Sequence, residues 1–200
     1  LIRMTKEAVN WAHAHAIPTM FVTEDTTRAK PKVIKEIYGL AIDLGAKQIC
    51  ICDTVGHATP HGVKNIVKFV MQEVVEPSGK DIVVHWHGHR DRGLELANAF
   101  AALEAGVHSI HGTALGVGER AGNVPMELLL VNLKLMGLIE GDLTDLSNYV
   151  RSAHECIGAP LPTNYPVFGD SAFSTATGVH ASAIIHAFEA GGAEWEDTIY

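Results

Sequence analysis

The stretch Ile82-Val83-Val84-His85-Trp86-His87-Gly88-His89-Arg90-Asp91 decides how this chain folds. An apolar run leads into histidines at alternate positions 85, 87 and 89. A strand sends every second side chain to one face, so the three imidazoles converge on one side at the strand's end. Neutral imidazole is the commonest metal ligand, and a His-x-His pair holds two corners of a metal site. Polar strand residues hydrogen-bonded to their neighbours are the other reading of the same pattern.

Outward from this strand, one theme repeats. A helical segment at 5–15 precedes a strand at 18–22. A helix at 31–44 is followed by Gly45 and a strand at 47–52. A helix at 61–75 ends near Pro77-Ser78-Gly79, before the strand at 81–87. A helix at 94–104 leads through Gly106 to a strand at 107–112, and a further helix spans 126–136. The strands begin roughly 25 to 34 residues apart, the length of a strand-helix unit. Their short, nearly continuous apolar runs suit parallel strands, and Gly45, Gly106 and Gly137 stand where helices need a left-handed cap.

Alternating strands and helices imply a parallel α/β sheet, either doubly wound or a (β/α)₈ barrel. Polar residues decide between them. Thr23-Glu24-Asp25, Asp53-Thr54, His87-x-His89 and His111-Gly112-Thr113 all fall at strand C-termini, which is where barrel active sites lie. A glycine-rich first turn of the dinucleotide-binding kind is absent. The expected fold is therefore α/β, the C-terminal half of a (β/α)₈ TIM barrel at 1–137. A helical linker at 138–165 follows, with Thr144 a candidate cap for a helix at 143–157, and then the start of a small α-rich subdomain at 166–200. Leu1 is an unlikely natural beginning, so the chain reads as part of a longer enzyme. Alone, with open sheet edges, it is expected to be inactive and poorly soluble.

Composition excludes several classes. The formal net charge of −8 argues against a nucleic-acid surface, and no apolar run approaches the ~20 residues of a membrane span. The three cysteines, Cys50, Cys52 and Cys156, lack metal-site or redox spacing; Cys50 and Cys52 read as small buried hydrophobes, and a reducing, cytoplasmic location follows.

Four ordered segments carry a resemblance: Thr23-Glu24-Asp25-Thr26-Thr27-Arg28; Asp53-Thr54-Val55-Gly56; His87-Gly88-His89 running into Gly93-Leu94-Glu95-Leu96-Ala97-Asn98; and Gly116-Val117-Gly118-Glu119-Arg120-Ala121-Gly122-Asn123. Together they resemble the 2-isopropylmalate, homocitrate and citramalate synthases, within the metal-dependent barrel family that includes HMG-CoA lyase. The Gly-Glu-Arg-Ala-Gly-Asn string and Thr177-Gly178-Val179-His180 look most like 2-isopropylmalate synthase.

The resemblance implies an acyltransferase of leucine-type branched-chain amino-acid biosynthesis. Such an enzyme joins acetyl-CoA to a 2-oxo acid, most closely 2-oxoisovalerate giving 2-isopropylmalate, on a divalent metal ion (zinc, manganese or magnesium). Homocitrate or citramalate synthesis and an HMG-CoA-lyase-like carbon–carbon cleavage are the alternatives, and a non-catalytic metal-binding barrel is the contrasting class. By the family's motifs, His87, His89 and Asn123 face the metal and Thr54 binds the 2-oxo acid carboxylate. Glu24 and His180 are the catalytic pair, and His85 is structural. Taken without the family, Asn123 would cap the helical segment starting at Pro125, and Glu24-Asp25 would be a solvated turn. Arg120 and Glu119 would brace their own loop or touch CoA. The family's aspartate ligand has no counterpart here, Val22 stands in place of a common serine, and Arg90 replaces the usual asparagine or aspartate, with an outward-facing place beside Asp91 as its other reading. A homodimer is implied by resemblance alone.

Overall fold

A computed structural model describes residues 1–175 and 177–189. It divides into two compact units, Leu1–Ile139 and Glu140–Tyr200. The first unit is built on a four-stranded parallel sheet in chain order: β1 (Met20–Val22), β2 (Gln48–Asp53), β3 (Val83–Gly88) and β4 (Ser109–Ile110). The helices α1 (Ile2–Ala14), α2 (Pro31–Asp43), α3 (Pro60–Val70) and α5 (Glu95–Glu104) alternate with these strands, as the apolar spacing predicts.

Each element can be traced to its residues. Helix α2 starts with Pro31 at its first position, where a missing N–H costs nothing. Its buried residues, Ile34, Ile37, Tyr38, Ala41 and Ile42, recur at three- and four-residue intervals and so form one stripe. The Thr59 hydroxyl caps α3 by accepting from the Gly62 N–H at 3.3 Å. Helix α3 buries Val63, Val67 and Val70. It then passes through a π-helical turn, Met71–Val75, into the short α4 (Glu76–Ser78), closed by Gly79 at φ +62°. Gly45, Gly106 and Gly137 all have positive φ, as their positions after helices require.

The core lies between the sheet and these helices. Ile49 and Ile51 of β2 and Val84 and Trp86 of β3 meet Ile42, Val63, Val67 and Val70 there, all fully buried. Each such side chain contributes about 1.5–3 kcal/mol of transfer free energy. Strand alternation then sends His85 and His87, half-buried, to the opposite face. Parallel register sets Cys50 beside His85 and Cys52 beside His87, so these four residues form a square on that face. Gly88, on the same side as Trp86, is required: a Cβ there would lie 2.8 Å from the indole Nε1.

The strand expected at 107–112 is interrupted. After β4, His111 still donates its N–H to the Trp86 carbonyl at 2.9 Å. The chain then turns away as β5 (Gly112–Thr113) to pair with β6 (Val124–Pro125), which runs directly into α6 (Met126–Leu135). Glycine at 112 lets the strands approach closely, since a Cβ there would lie 3.2 Å from the Val124 carbonyl oxygen. The loop joining β5 to β6 is tightly wound, with Leu115, Gly116, Arg120 and Gly122 at positive φ.

In the second unit, α7 (Leu146–Ile157) ends on Gly158 at φ +66°, and α8 spans Gly178–Glu189. The expected cap at Thr144 is corrected. Its hydroxyl and N–H both bond the Asp142 carboxylate in a turn that precedes the helix, and Asp145 occupies the cap position. Among the described residues, no helix is long and apolar enough to cross a membrane.

Candidate functional site

The strand ends of the first unit frame an open depression of about 660 Å³. Five of the six residues singled out from sequence line it together: Glu24, Thr54, His87, His89 and Asn123. They come from the ends of β1, β2 and β3 and from the residue just before β6, so four separate segments converge because parallel strands finish on one side. Val22, Cys52 and Thr113 complete the floor. The sixth residue, His180, lies half-buried in the first turn of α8 in the second unit, 3.4 Å from the Thr175 hydroxyl.

The histidines form a connected series. The His87 and His89 rings meet edge-to-face with centroids 5.2 Å apart, and His111 stands edge-on to His87 at 5.5 Å. His111 Nε2 and His85 Nδ1 are 3.2 Å apart and share a hydrogen bond. Burial, followed by the charge on His89, holds the pKa of His87 below the usual imidazole value. Burial and then His87 do the same to His111, and burial, His111 and His108 to His85. These rings are thereby kept in the neutral form that has a lone pair to give.

His89 is 8% exposed, and its buried Nδ1 has no hydrogen-bond partner. An orphaned buried nitrogen is costly unless something else engages it. Asn123, equally buried, bridges to His89 and donates from Nδ2 to the Gly88 carbonyl at 3.3 Å. Its Oδ1 occupies the space a Cβ on Gly118 would fill, only 2.0 Å from that position. Two imidazoles and an amide oxygen are the chemistry of part of a divalent-cation site. Among the described residues, no group of three His, Cys, Asp or Glu is arranged to hold a metal.

Asn123 does not cap α6, where Pro125 takes the cap position without a side-chain bond. The Thr54 hydroxyl oxygen accepts from the Asp25 N–H at 2.8 Å, which leaves its own proton to donate. Glu24 is exposed at the rim. Its neighbour Asp25, at φ +59°, is held to Arg28 by three hydrogen bonds, which lower its pKa.

Several supporting residues have roles that the sequence does not reveal. Asp53, fully buried, accepts from the Thr27 hydroxyl (2.9 Å) and from the His57 (3.0 Å) and Ala58 (3.1 Å) N–H groups, tying the two loops beside Thr54 together. Glu127, also fully buried, accepts from the Leu115 N–H at 3.0 Å and steadies the strained loop. Arg90 does not face outward beside Asp91. It packs beneath the loop, where Cβ atoms on Gly116 and Gly122 would lie 2.7 and 3.1 Å from it, and the partner of Asp91 is Arg120. His111 had only its place at a strand end to mark it.

The HMGL-like family model matches residues 1–153. The chain is 34% identical over 187 residues to a probable 2-isopropylmalate synthase of Ignicoccus hospitalis, covering 92% of this chain and 46% of that protein. It is also 34% identical over 185 residues to a homocitrate synthase of Saccharolobus solfataricus, covering 92% and 39%. The chain thus spans less than half the length of these curated relatives. A crystal structure of hydroxymethylglutaryl-CoA lyase from Pseudomonas aeruginosa superposes with a TM-score of 0.69 at 18% identity, over 93% of this chain and 60% of that one. That likeness carries the barrel fold. With four β/α units in parallel order and a family match across the whole strand-bearing unit, the chain belongs to the HMGL-like family.

Proposed function

We propose that this chain supplies one side of the active site of an acyltransferase that condenses acetyl-CoA with a 2-oxo acid, 2-oxoisovalerate giving 2-isopropylmalate. The observation that carries the reading is the convergence of Glu24, Thr54, His87, His89 and Asn123 on one depression at the strand ends. In this reading His87, His89 and Asn123 hold a divalent cation. When bound, the cation supplies Lewis-acid polarisation of the 2-oxo acid ketone. Thr54 donates its hydroxyl proton to the substrate carboxylate, in the direction left open by its bond from Asp25. Glu24, exposed at the rim, takes a proton from the acetyl methyl group, and the enolate attacks the ketone to form the new carbon–carbon bond. Thioester hydrolysis then releases CoA. His180, in the second unit, is the other catalytic residue that the family resemblance implies.

The synthase reading is preferred to a lyase because the relatives at 34% identity carry synthase names, whereas the lyase superposed above shares the fold at 18%. The test is free-thiol release from acetyl-CoA by the full-length protein with Mn²⁺, screened over pyruvate, 2-oxoisovalerate and 2-oxoglutarate. Release with 2-oxoisovalerate is expected, and His87→Ala should lower it by more than about 100-fold. Release with none of the three acids would overturn the reading. Release with 2-oxoglutarate alone would move it to homocitrate synthesis.

A further inference from the structure

Arg120 occupies a central place in the loop architecture around the depression. Its Nε and Nη2 bond the two oxygens of Asp91 at 2.8 and 3.0 Å, a fork-to-fork pairing. The same Nη2 donates to the backbone carbonyl of Thr54 at 2.6 Å. One guanidinium therefore joins three segments: its own loop, the turn after β2, and the turn that follows His89.

The backbone around it is built to permit this. Arg120 itself sits at φ +54°, a left-handed conformation that a bulky residue adopts only when its surroundings hold it there. Gly56 comes so close to the Asp91 turn that a Cβ would lie 2.7 Å from the Asp91 nitrogen. The Arg90 N–H donates to the Gly122 carbonyl at 3.0 Å, and the Asn123 N–H to Gly116 at 2.8 Å. These bonds carry the position of Arg120 through Gly122 to Asn123. The contact with Glu119 is longer, 3.4 Å, and Glu119 is largely exposed.

We infer that Arg120 is a positioning residue whose clamp on Asp91 and the Thr54 carbonyl sets the separation between the Thr54 wall and the His89–Asn123 wall. The inference rests on the proposed function for what the two walls bind, but not for the clamp itself. Because one group holds both walls, its loss disturbs both together. A residue that merely stabilised the fold would move neither binding constant at temperatures well below unfolding. Lysine cannot replace it, since an ammonium lacks the planar fork that reaches two oxygens and a third acceptor at once.

The experiment compares the native protein with Arg120→Gln, Arg120→Lys, Asp91→Asn and the double variant Arg120→Gln/Asp91→Asn. Calorimetry reads Mn²⁺ and 2-oxoisovalerate binding, and hydrogen exchange reads the amides of Gly122, Asn123 and Arg90. Arg120→Gln should weaken both ligands and speed those amides by about tenfold, the scale of a lost charge-assisted pair at a partly exposed site. Arg120→Lys should recover only part of this, and the double variant should be little worse than either single one. A native protein that binds both ligands and an Arg120→Gln variant that binds them equally well would overturn the clamp. If the native protein binds neither ligand, the proposed function fails instead, and hydrogen exchange alone decides: unchanged amides in Arg120→Gln refute the clamp, and accelerated ones sustain it.

Discussion

Replacing Asp53 by alanine should unfold the first unit at markedly lower denaturant while leaving its core untouched. Asp53 ends β2 fully buried and accepts from the Thr27 hydroxyl and from the His57 and Ala58 amides. Hydrogen bonds to a charged group are worth about 1.5–3 kcal/mol each, and a buried donor stripped of its acceptor costs a similar amount. Ala58 is buried, whereas Thr27 is half-buried and His57 exposed, so water recovers part of the loss at two of the three donors. A net cost of about 3 kcal/mol follows. For a unit of this size, with a urea slope near 2 kcal/mol per molar, the unfolding midpoint should fall by about 1.5 M. Fluorescence of the buried Trp86 reports the transition. Thr27→Val removes one donor and provides the scale, with an expected fall of about 0.5 M. If Asp53→Ala moved the midpoint no further than Thr27→Val, the carboxylate would not be the knot between these loops, and the account of how Thr54 is held would fail.

Tyr38 is fully buried and donates to the Cys50 carbonyl at 2.6 Å, with its oxygen 2.7 Å from the Thr23 hydroxyl. Tyr38→Phe should cost about 1–2 kcal/mol in the same urea titration. Gly118→Ala would drive a Cβ onto Asn123 Oδ1; Mn²⁺ binding should weaken at least about tenfold, with a thermal midpoint within a few degrees of native, as calorimetry and circular dichroism would show. Stability should also depend on pH through His85, His87 and His111. Their pKa values are lowered in the folded state, so the unfolded chain binds protons more tightly, and stability is complete above the unfolded value near 6.5 and declines as pH falls below it. The urea midpoint should drop between about pH 7 and 5, and His111→Gln with His85→Gln should flatten that slope.

What sequence reveals here follows the range of the interactions concerned. Helix α2 is legible because a proline, a five-residue apolar stripe and a closing glycine all act within one helix. The grouping of Glu24, Thr54 and His87 is legible because strand ends of a parallel sheet must meet on one side, whereas Asn123, just before β6, is marked only by the family resemblance. The break between β4 and β5 is not legible. It depends on Gly112 approaching the Val124 carbonyl and on the pairing of Gly112 and Thr113 with Val124 and Pro125, 12 positions away in sequence. Arg120 offered its neighbour Glu119 or a CoA contact from sequence, yet its strong partner lies 29 positions away. Asp53 is marked in the sequence as a polar strand-end residue, but its role as a knot between loops comes from burial, which local composition does not encode. The cap expected at Thr144 failed for a local reason: Asp142 two residues earlier competes for the same hydroxyl and amide.

The indole pressed against Gly88 couples the mouth of the depression to the interior. Gly88 separates the two histidines at the mouth, and Trp86 belongs to the core beneath them. A larger residue at 88 would press on the indole, and a smaller residue at 86 would open a hole in the interior. The backbone that carries His87 and His89 is therefore anchored by the packing of the core beneath it.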